Sequence, residues 1–307
     1  MATSLSFSKI LKAINEARDQ SHAAPRICVV GEPAELSRVV GVLSAGAADE
    51  SGGVSASLDA LSPADFPLEA RLARRWGVAV FLAAGSAGVE LAPAVAVARR
   101  AGPRVVALAE GAEPGWAAAA GVSSDELAHG LGQRPAGKPT LENRLVRAAG
   151  DAGGALALAL PAVRRAYCER VILTNAAQNG AIGAAFIIPG TDMPAMTANQ
   201  IRMVLKIAAA YGQEVGLDRA LELLSVVGSG FVFRTLARQA LDFVPGLGWA
   251  LKGAVGFSAT VALGQGAIAY FEAGAPLQVS RMQRINRQLE RANSRLPGVL
   301  QRRLAGR

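Results

Sequence analysis

The chain has 307 residues, enough for two domains of ordinary size, and it is 51% hydrophobic but only 18% charged, against about 25% in an average soluble protein. Its net charge is +8, and residues 281–307 supply nearly all of it, so the composition argues against a nucleic-acid-binding face over the whole protein and indicates a local cationic tail. Two cysteines and two histidines exclude a Cys/His zinc cluster, argue against a disulfide scaffold and indicate a reducing compartment.

Residues 1–24 predict a short amphipathic helix, because Leu11, Ile14 and Ala17 follow a helical spacing, and the segment lacks the apolar core of a secretory signal. Residues 25–135 then alternate short β-type runs with helical patterns, which predicts a small parallel-sheet α/β domain of the GTPase-like or Rossmann-like kind, with three to five strands. Strands are predicted at RICVVG (26–31), VSASLDA (54–60), WGVAVFLAAG (76–85) and PRVVALAEG (103–111), and helices at ELSRVVGVL and VELAPAVAVARRAG.

The turn after the first predicted strand lacks the residues of a phosphate-binding P-loop. From Gly31 the chain reads GEPAELSR, so Leu36 replaces the second glycine and Ser37 replaces the lysine. Glu32 lies where a polyphosphate would bind and adds repulsion, and the guanine-recognition and dinucleotide-binding patterns are missing as well. The sequence therefore predicts a protein without enzymatic activity, cofactor or metal; an atypical NTPase-like regulator is the alternative.

The segment that follows offers no catalytic constellation. DELAHG (125–130) predicts a polar turn of helix that exposes His129 to solvent, and GLGQRPAGKPT (130–140) predicts a linker. From residue 136 to residue 275 the strand patterns are missing, so we expect a helical bundle domain rich in glycine and alanine. One of its helices is predicted to begin at Thr197, in a capping box with Gln200, and to end at Gly212 in the left-handed conformation.

Two long runs in the helical region carry no charge, at residues 171–191 and 253–271. The second run, as a helix, is about 28 Å long, close to the thickness of the hydrocarbon core of a bilayer. Three placements remain open for these runs: the core of a soluble bundle, a hairpin or interfacial insertion, and a full membrane span.

Each run has a face suited to helix packing. Amides share one helical face of the first run at Asn175, Gln178 and Asn179, and they need hydrogen-bond partners if they are buried. The second run places small residues at four-residue intervals, at Gly256, Thr260 and Gly264. A row of this kind lets another helix approach closely.

Residues 276–307 predict a basic amphipathic tail. A helix over residues 279–296 places five arginines within a sector of about 120°. These are Arg281, Arg284, Arg287, Arg291 and Arg295. The pattern is typical of a helix that lies on an anionic membrane surface, and also of a solvated helix packed on a bundle by its apolar stripe. Nucleic-acid binding through this tail is a second alternative function.

The stretch IIPGTDMPAMTANQIRMVLKIAAAYG, followed by RALELLSVVGSGFVFRTLARQALDFVPGLGWALKGAVGF, resembles the helical domain of unknown function found in YcjF-type membrane proteins. A related domain follows the GTPase domain of some Era-like GTPases. The resemblance covers about residues 141–275, and it implies that the α/β domain takes the place of a GTPase domain whose motifs are lost. It implies no catalytic residue and no reaction.

From the resemblance and the composition together we expect a non-enzymatic, membrane-associated or scaffold protein. Its expected location is cytoplasmic, peripheral to or integral in the inner membrane. The expected partners are anionic lipid at the inner face of the membrane and a protein partner or a second copy of the chain, whereas nucleotide and nucleic acid are not expected.

Overall fold

The computed structural model describes residues 24–46, 58–67, 69–83, 88–109, 115–132, 137–185, 193–213 and 248–273. The predicted N-terminal helix and the predicted basic tail, with its five arginines, therefore lie outside the described residues, apart from residue 24. They stay predictions.

The first half of the chain forms a five-stranded parallel sheet. Its strands are β1 (Ile27–Val30), β2 (Leu58–Leu61), β3 (Val78–Ala83), β4 (Arg104–Ala109) and β5 (Leu127–Ala128). They lie in the order β2-β1-β3-β4-β5, which is a common order for doubly wound α/β sheets. This confirms the predicted small parallel sheet. A strand overlaps each of the four predicted runs, and residues 54–57 of the second run lie outside the described residues.

Helices cover the sheet and continue beyond it. They are α1 (Pro33–Ser44), α2 (Ala70–Ala73), α3 (Gly88–Ala101), α4 (Gly115–Ala119), α5 (Leu141–Ala149), α6 (Gly153–Ala159), α7 (Pro161–Ala185), α8 (Met193–Ala210) and α9 (Gly248–Glu272), with a 3₁₀ turn at Gly150–Ala152. Within the described part of residues 141–273 every regular element is helical, as the sequence predicts.

Both faces of the sheet are buried, because β1, β3 and β4 are nearly continuous apolar runs. Alternate residues point to opposite faces, so Val29 and Val80 contribute to one apolar cluster while Val30 and Phe81 contribute to the other. The second cluster is completed by α3 and α4. The first continues from the sheet through α1 into α5, α6, α7, α8 and α9, so one core joins the sheet to the helical region.

The segment between β5 and α5 is tied at both ends. The His129 amide donates to the Pro139 carbonyl at 3.0 Å, and the Leu141 amide donates to the Gly130 carbonyl at 2.8 Å. Thr140 caps α5 in a capping box with Asn143. The described ends of GLGQRPAGKPT therefore hold α5 against the sheet, where it helps to cover β4.

The structure corrects the interpretation of DELAHG as a turn of helix. Leu127 and Ala128 form β5, in register with Ala107 and Leu108 of β4. The Ala107 amide donates to the Glu126 carbonyl at 3.0 Å and continues this pairing by one residue. A strand of two residues is too short to show an alternating pattern, so periodicity does not reveal it.

The start of α8 also differs from the prediction, and its end does not. The helix begins at Met193 rather than at Thr197, because Pro194 fits the first turn, where its missing N–H has no helical partner to lose. Gly212 adopts φ +69°, with its amide bonded to Ala209 and the Gln213 amide bonded to Ala208, both at 3.0 Å. This Schellman motif confirms the predicted left-handed end.

Candidate functional site

The helices α7 and α9 form a close antiparallel pair, each 25 residues long. At one end the Arg165 guanidinium lies 3.4 Å from the Glu272 carboxylate. At the other end Gly180 faces Gly253, where a Cβ atom built on Gly253 would lie 3.0 Å from the Gly180 carbonyl oxygen. The two backbones therefore approach each other closely at positions where only a hydrogen separates them.

The row of small residues on α9 lies at this contact. A Cβ on Gly256 would lie 2.9 Å from the Asn179 carbonyl oxygen and 2.7 Å from Cε of Met196. A Cβ on Gly264 would overlap the side chain of Ile172. Thr260, between the two glycines, is fully buried and donates its hydroxyl to the Gly256 carbonyl at 2.8 Å.

A buried polar seam joins α7, α8 and α9. The Asn179 amide group donates to Thr260 Oγ1 at 2.8 Å, and its oxygen accepts from the Asn199 amide group at 2.9 Å. Asn199 also donates to the Asn175 carbonyl at 3.2 Å, and Asn175 donates to the Val171 carbonyl at 2.7 Å. We define the polar seam as Asn175, Asn179, Asn199 and Thr260, all of which are buried.

The seam differs from the predicted set at two positions. Gln178 is exposed, because it lies about 100° away from Asn179 around α7, on the far side from the contact. Asn199 belongs to the seam, although the sequence interpretation missed it. Its signal is present in the sequence: Asn199 precedes Met203 and Ile207 by four and eight residues, so it interrupts an apolar helical face.

Uncharged segments of the three helices lie together in the bundle, although Lys252 directly precedes the uncharged part of α9. Residues 171–185 of α7, 193–201 of α8 and 253–264 of α9 carry no charge, and we call these segments the uncharged end. They lie together, since Asn199 contacts Asn179 and Met196 lies beside Gly256.

Charged side chains lie at the opposite end of the same bundle. They are Arg164, Arg165, Glu169 and Arg170 on α7, Arg202 and Lys206 on α8, and Glu272 on α9. Tyr211 joins two of these helices: its hydroxyl donates to Glu272 at 3.3 Å, and its ring lies 5.0 Å from the Arg164 guanidinium. Most charged residues of the three helices therefore lie at one end of the bundle.

An exposed apolar face lies on one side of the uncharged end. Leu173, Ala177 and Gly180 follow each other at helical spacing on α7, and Leu173 is 55% exposed. Phe257 of α9 packs beside Gly180 and is 39% exposed. We call Leu173, Ala177 and Phe257 the apolar face. Surface of this kind is a marker of interaction when it is contiguous.

Among the described residues, α9 has the length and composition of a membrane-crossing helix. The segment Gly253–Glu272 has a mean hydropathy of 1.3, and 39% of its most apolar window is buried inside the protein. Core helices of soluble proteins can have the same length and composition. The exposed fraction of this segment is therefore a better guide to its surroundings than its hydropathy.

The turn after β1 lies at the edge of the sheet where doubly wound folds bind ligands. The Gly31 amide donates to the Leu61 carbonyl at 3.2 Å, and a Cβ on Gly31 would lie 2.8 Å from that of Leu82. Helix α1 begins at Pro33, which has no N–H to donate, and Glu32 precedes it. An anion site at a helix N-terminus uses backbone N–H donors. Here Pro33 removes one of these donors, and the carboxylate of Glu32 adds a negative charge beside them.

Reactive and metal-binding groups are sparse in the described part of the chain. Burial raises the pKa of the thiols of Cys28 and Cys168 to about 12, so both are protonated near neutral pH. His129 is half-buried, and its burial, followed by the charges of Lys138 and Arg144, lowers its pKa. No three His, Cys, Asp or Glu residues among those described are grouped to hold a metal ion.

The helical region matches a known family. A family described as a domain of unknown function (DUF697) matches residues 147–306, just over half of the chain. The match starts in the last turn of α5, includes α6, α7, α8 and α9, and continues past the described residues. No curated protein and no solved structure matches the chain.

Proposed function

The chain belongs to the family described as a domain of unknown function, DUF697, and because that family assigns no reaction, we propose a function from the geometry of the bundle. The protein is a non-enzymatic, membrane-associated scaffold. The uncharged end of its bundle rests in the boundary between headgroups and acyl chains through the apolar face. The sheet and its covering helices remain in water, at the cytoplasmic side of the inner membrane.

One observation carries this proposal: uncharged segments of three helices lie together, and they expose Leu173 and Phe257. A contiguous exposed apolar surface marks a site of interaction with a protein or a membrane. An amphipathic surface that lies in the membrane interface buries its apolar residues by about 5–10 Å.

The orientation follows from the charged residues that border the uncharged end. Lys252 precedes the uncharged part of α9, so insertion of the bundle tip first would carry a charge to the bilayer centre, at a cost of about 2.5–3.5 kcal/mol. With the bundle axis along the membrane plane, the charged end stays at the interface. The predicted basic tail adds electrostatic attraction of about 1 kcal/mol per arginine on an anionic surface, decreasing with salt.

We propose further that the helical region is of the YcjF type and that the α/β region is a GTPase-like domain without its phosphate chemistry. Support comes from the doubly wound strand order and from the closed edge at Gly31, Glu32 and Pro33. Such a domain presents a surface to a protein partner or to a second copy of the chain. Micromolar binding of GTP or ATP with magnesium, measured by calorimetry, would contradict this part and favour an NTPase-like regulator.

The membrane proposal is tested by flotation with vesicles of phosphatidylcholine and phosphatidylglycerol. Phe257→Ser removes a large apolar side chain from the apolar face and is expected to lower the partition coefficient about fivefold, in line with about 1 kcal/mol for a partly exposed aromatic residue. Val42→Ser is the matched control, because Val42 on α1 is 37% exposed and Phe257 is 39% exposed. Equal binding by Phe257→Ser and the wild type would overturn the proposal, as would a wild type that ignores the vesicles.

A further inference from the structure

A groove of about 350 Å³ lies between α5 and α7. Polar donors from both helices line it together with apolar side chains. The lining residues that matter are Asn143, Arg144 and Arg147 from α5, and Arg170, Leu173 and Thr174 from α7. The membrane association proposed above uses only one of them, Leu173.

The groove carries an excess of positive charge. Arg147 forms a bidentate pair with Asp125 at 3.1 and 3.0 Å, and Arg165 lies 3.4 Å from Glu169 at the groove wall. Arg165 also lies 3.4 Å from Glu272, so it is shared between two carboxylates, and the groove itself is lined by three arginines and one acid, Glu169. Within the described part of the chain, Arg170 is exposed and has no carboxylate partner.

A further positive charge at the groove belongs to Arg144, which also feels the charge of Asp125. It donates to the carbonyls of Leu127 and Ser124 at 2.8 and 2.7 Å, and these neutral groups fix its position without cancelling its charge. Burial, and next the charge of Arg147, lowers the pKa of the Arg144 guanidinium. A second positive charge is therefore held close to Arg147 at the groove wall.

The groove adjoins the apolar face on the same side of α7. Arg170, Leu173 and Ala177 follow at intervals of three and four residues, so basic and apolar groups succeed each other along one helical face. Leu173 belongs to both surfaces, since it lines the groove and is 55% exposed. An amphiphile matches this arrangement, because its anionic head would meet the basic group and its apolar tail would meet the apolar groups.

We infer that the groove binds the phosphate of an anionic phospholipid headgroup while the acyl chains cover the apolar face. The inference rests on the proposed membrane association and names its ligand. The Arg170 guanidinium matches phosphate because it presents two parallel donors, and the Thr174 hydroxyl and the Asn143 amide supply further neutral donors. The exposed Arg170 makes the contact that distinguishes an anionic lipid from a neutral one.

The test compares full-length variants on two vesicle compositions, phosphatidylcholine alone and phosphatidylcholine with phosphatidylglycerol. Arg170→Gln is expected to reduce the preference for the anionic vesicles about fivefold, because a basic group near an anionic surface contributes about 1 kcal/mol. Arg104→Gln removes the same charge from an exposed position outside the groove and is expected to keep the wild-type preference. Arg170→Lys keeps the charge without the planar fork, so an intermediate preference is expected.

The outcomes separate this inference from the membrane proposal itself. If Arg170→Gln and Arg104→Gln lose preference equally, the attraction is diffuse and the groove is not a lipid site. Loss of binding to both compositions in Phe257→Ser, with the preference of Arg170→Gln unchanged, would retain the membrane proposal and overturn the groove. A competition arm replaces chloride by inorganic phosphate at constant ionic strength: displacement of the wild type to the level of Arg170→Gln would show that the groove binds free phosphate rather than lipid.

Discussion

The sheet and the uncharged end of the bundle are held together by different means. Between the sheet and its helices, side chains such as Val80, Phe81 and Leu82 fill the space, and all three are buried. At the uncharged end, contact is made by glycine backbones and by the polar seam. The first kind of packing draws on the removal of apolar surface from water, whereas the second depends on close approach and on hydrogen bonds between helices.

This difference is compatible with the membrane association proposed above. Apolar side chains gain little by meeting each other where the surroundings are already apolar, so helix association there relies on small residues and polar contacts. Gly180, Gly253 and Gly256 supply the first of these, and Asn179 with Asn199 supplies the second. The bundle end therefore has contacts that remain effective beside a membrane.

The polar seam offers the largest expected effect. Asn179→Leu removes both hydrogen bonds of a fully buried amide and leaves Asn199 and Thr260 each without one partner. At about 1–3 kcal/mol for each unsatisfied buried group, we expect a loss of about 3 kcal/mol in the free energy of unfolding, measured by urea denaturation. Gln178→Leu, the adjacent exposed amide, is expected to change stability by less than about 0.5 kcal/mol. Similar losses for the two variants would show that the seam does not hold the bundle.

A pair of glycine substitutions sharpens the comparison, with opposite signs expected. In Gly264→Ala the new methyl group overlaps the buried Ile172, so a loss of about 2 kcal/mol from overpacking is expected. In Gly41→Ala, on α1, no atom lies within 4 Å of the new methyl group, and the chain should gain about 0.5–1 kcal/mol from the higher helix propensity of alanine. Denaturation curves for both variants check this, and a stabilised Gly264→Ala would refute the close contact of α7 with α9.

The two cysteines report on the two regions separately. Cys28 lies in β1 and Cys168 in α7, and because burial raises both thiol pKa values to about 12, neither should react with iodoacetamide at pH 8 until its region opens. Since openings are local, Gly264→Ala is expected to speed the alkylation of Cys168 and to leave that of Cys28 unchanged, as read by peptide mass spectrometry. Equal acceleration at both sites would indicate that the sheet and the bundle open as one unit.

The same thiols give a smaller effect with a definite sign. A pKa raised by folding stabilises the native state fully below the unfolded value of 9.0, and this stabilisation is lost as the pH rises to about 12. The free energy of unfolding should therefore fall across this alkaline interval and change little from the thiols between pH 6 and about 8. A thiol contribution that instead grew above pH 9 would contradict the burial of Cys28 and Cys168.

The fold could be predicted from the sequence wherever an apolar run is long enough to indicate a strand or a helix. The strands at 27–30, 78–83 and 104–109 are continuous apolar runs, and Gly212 marks the end of α8 by a conformation that few other residues adopt. Leu127–Ala128 was not accessible, because its two residues become a strand only by pairing with β4.

The site was accessible only in part. Asn175 and Asn179 stand out as amides within an uncharged run, but the exposure of Gln178 depends on which side of α7 meets α9, and no periodicity fixes this side in a run of alanine and glycine. The groove of Arg147 and Arg170 could not be predicted either. Its two walls come from helices that the chain brings together through a turn at Gly150 and the short helix α6.

The central claim is that the apolar face enters the membrane while the sheet does not. A fluorophore attached to the introduced thiol of Phe257→Cys reports this directly, because the buried native thiols stay protonated and are not labelled. The same fluorophore on Val42→Cys is the control. With vesicles of phosphatidylcholine and phosphatidylglycerol whose acyl chains carry a nitroxide quencher, we expect strong quenching at position 257 and none at position 42. If the quencher leaves the fluorescence unchanged at both positions, the account is contradicted. The uncharged end would then be part of a soluble bundle.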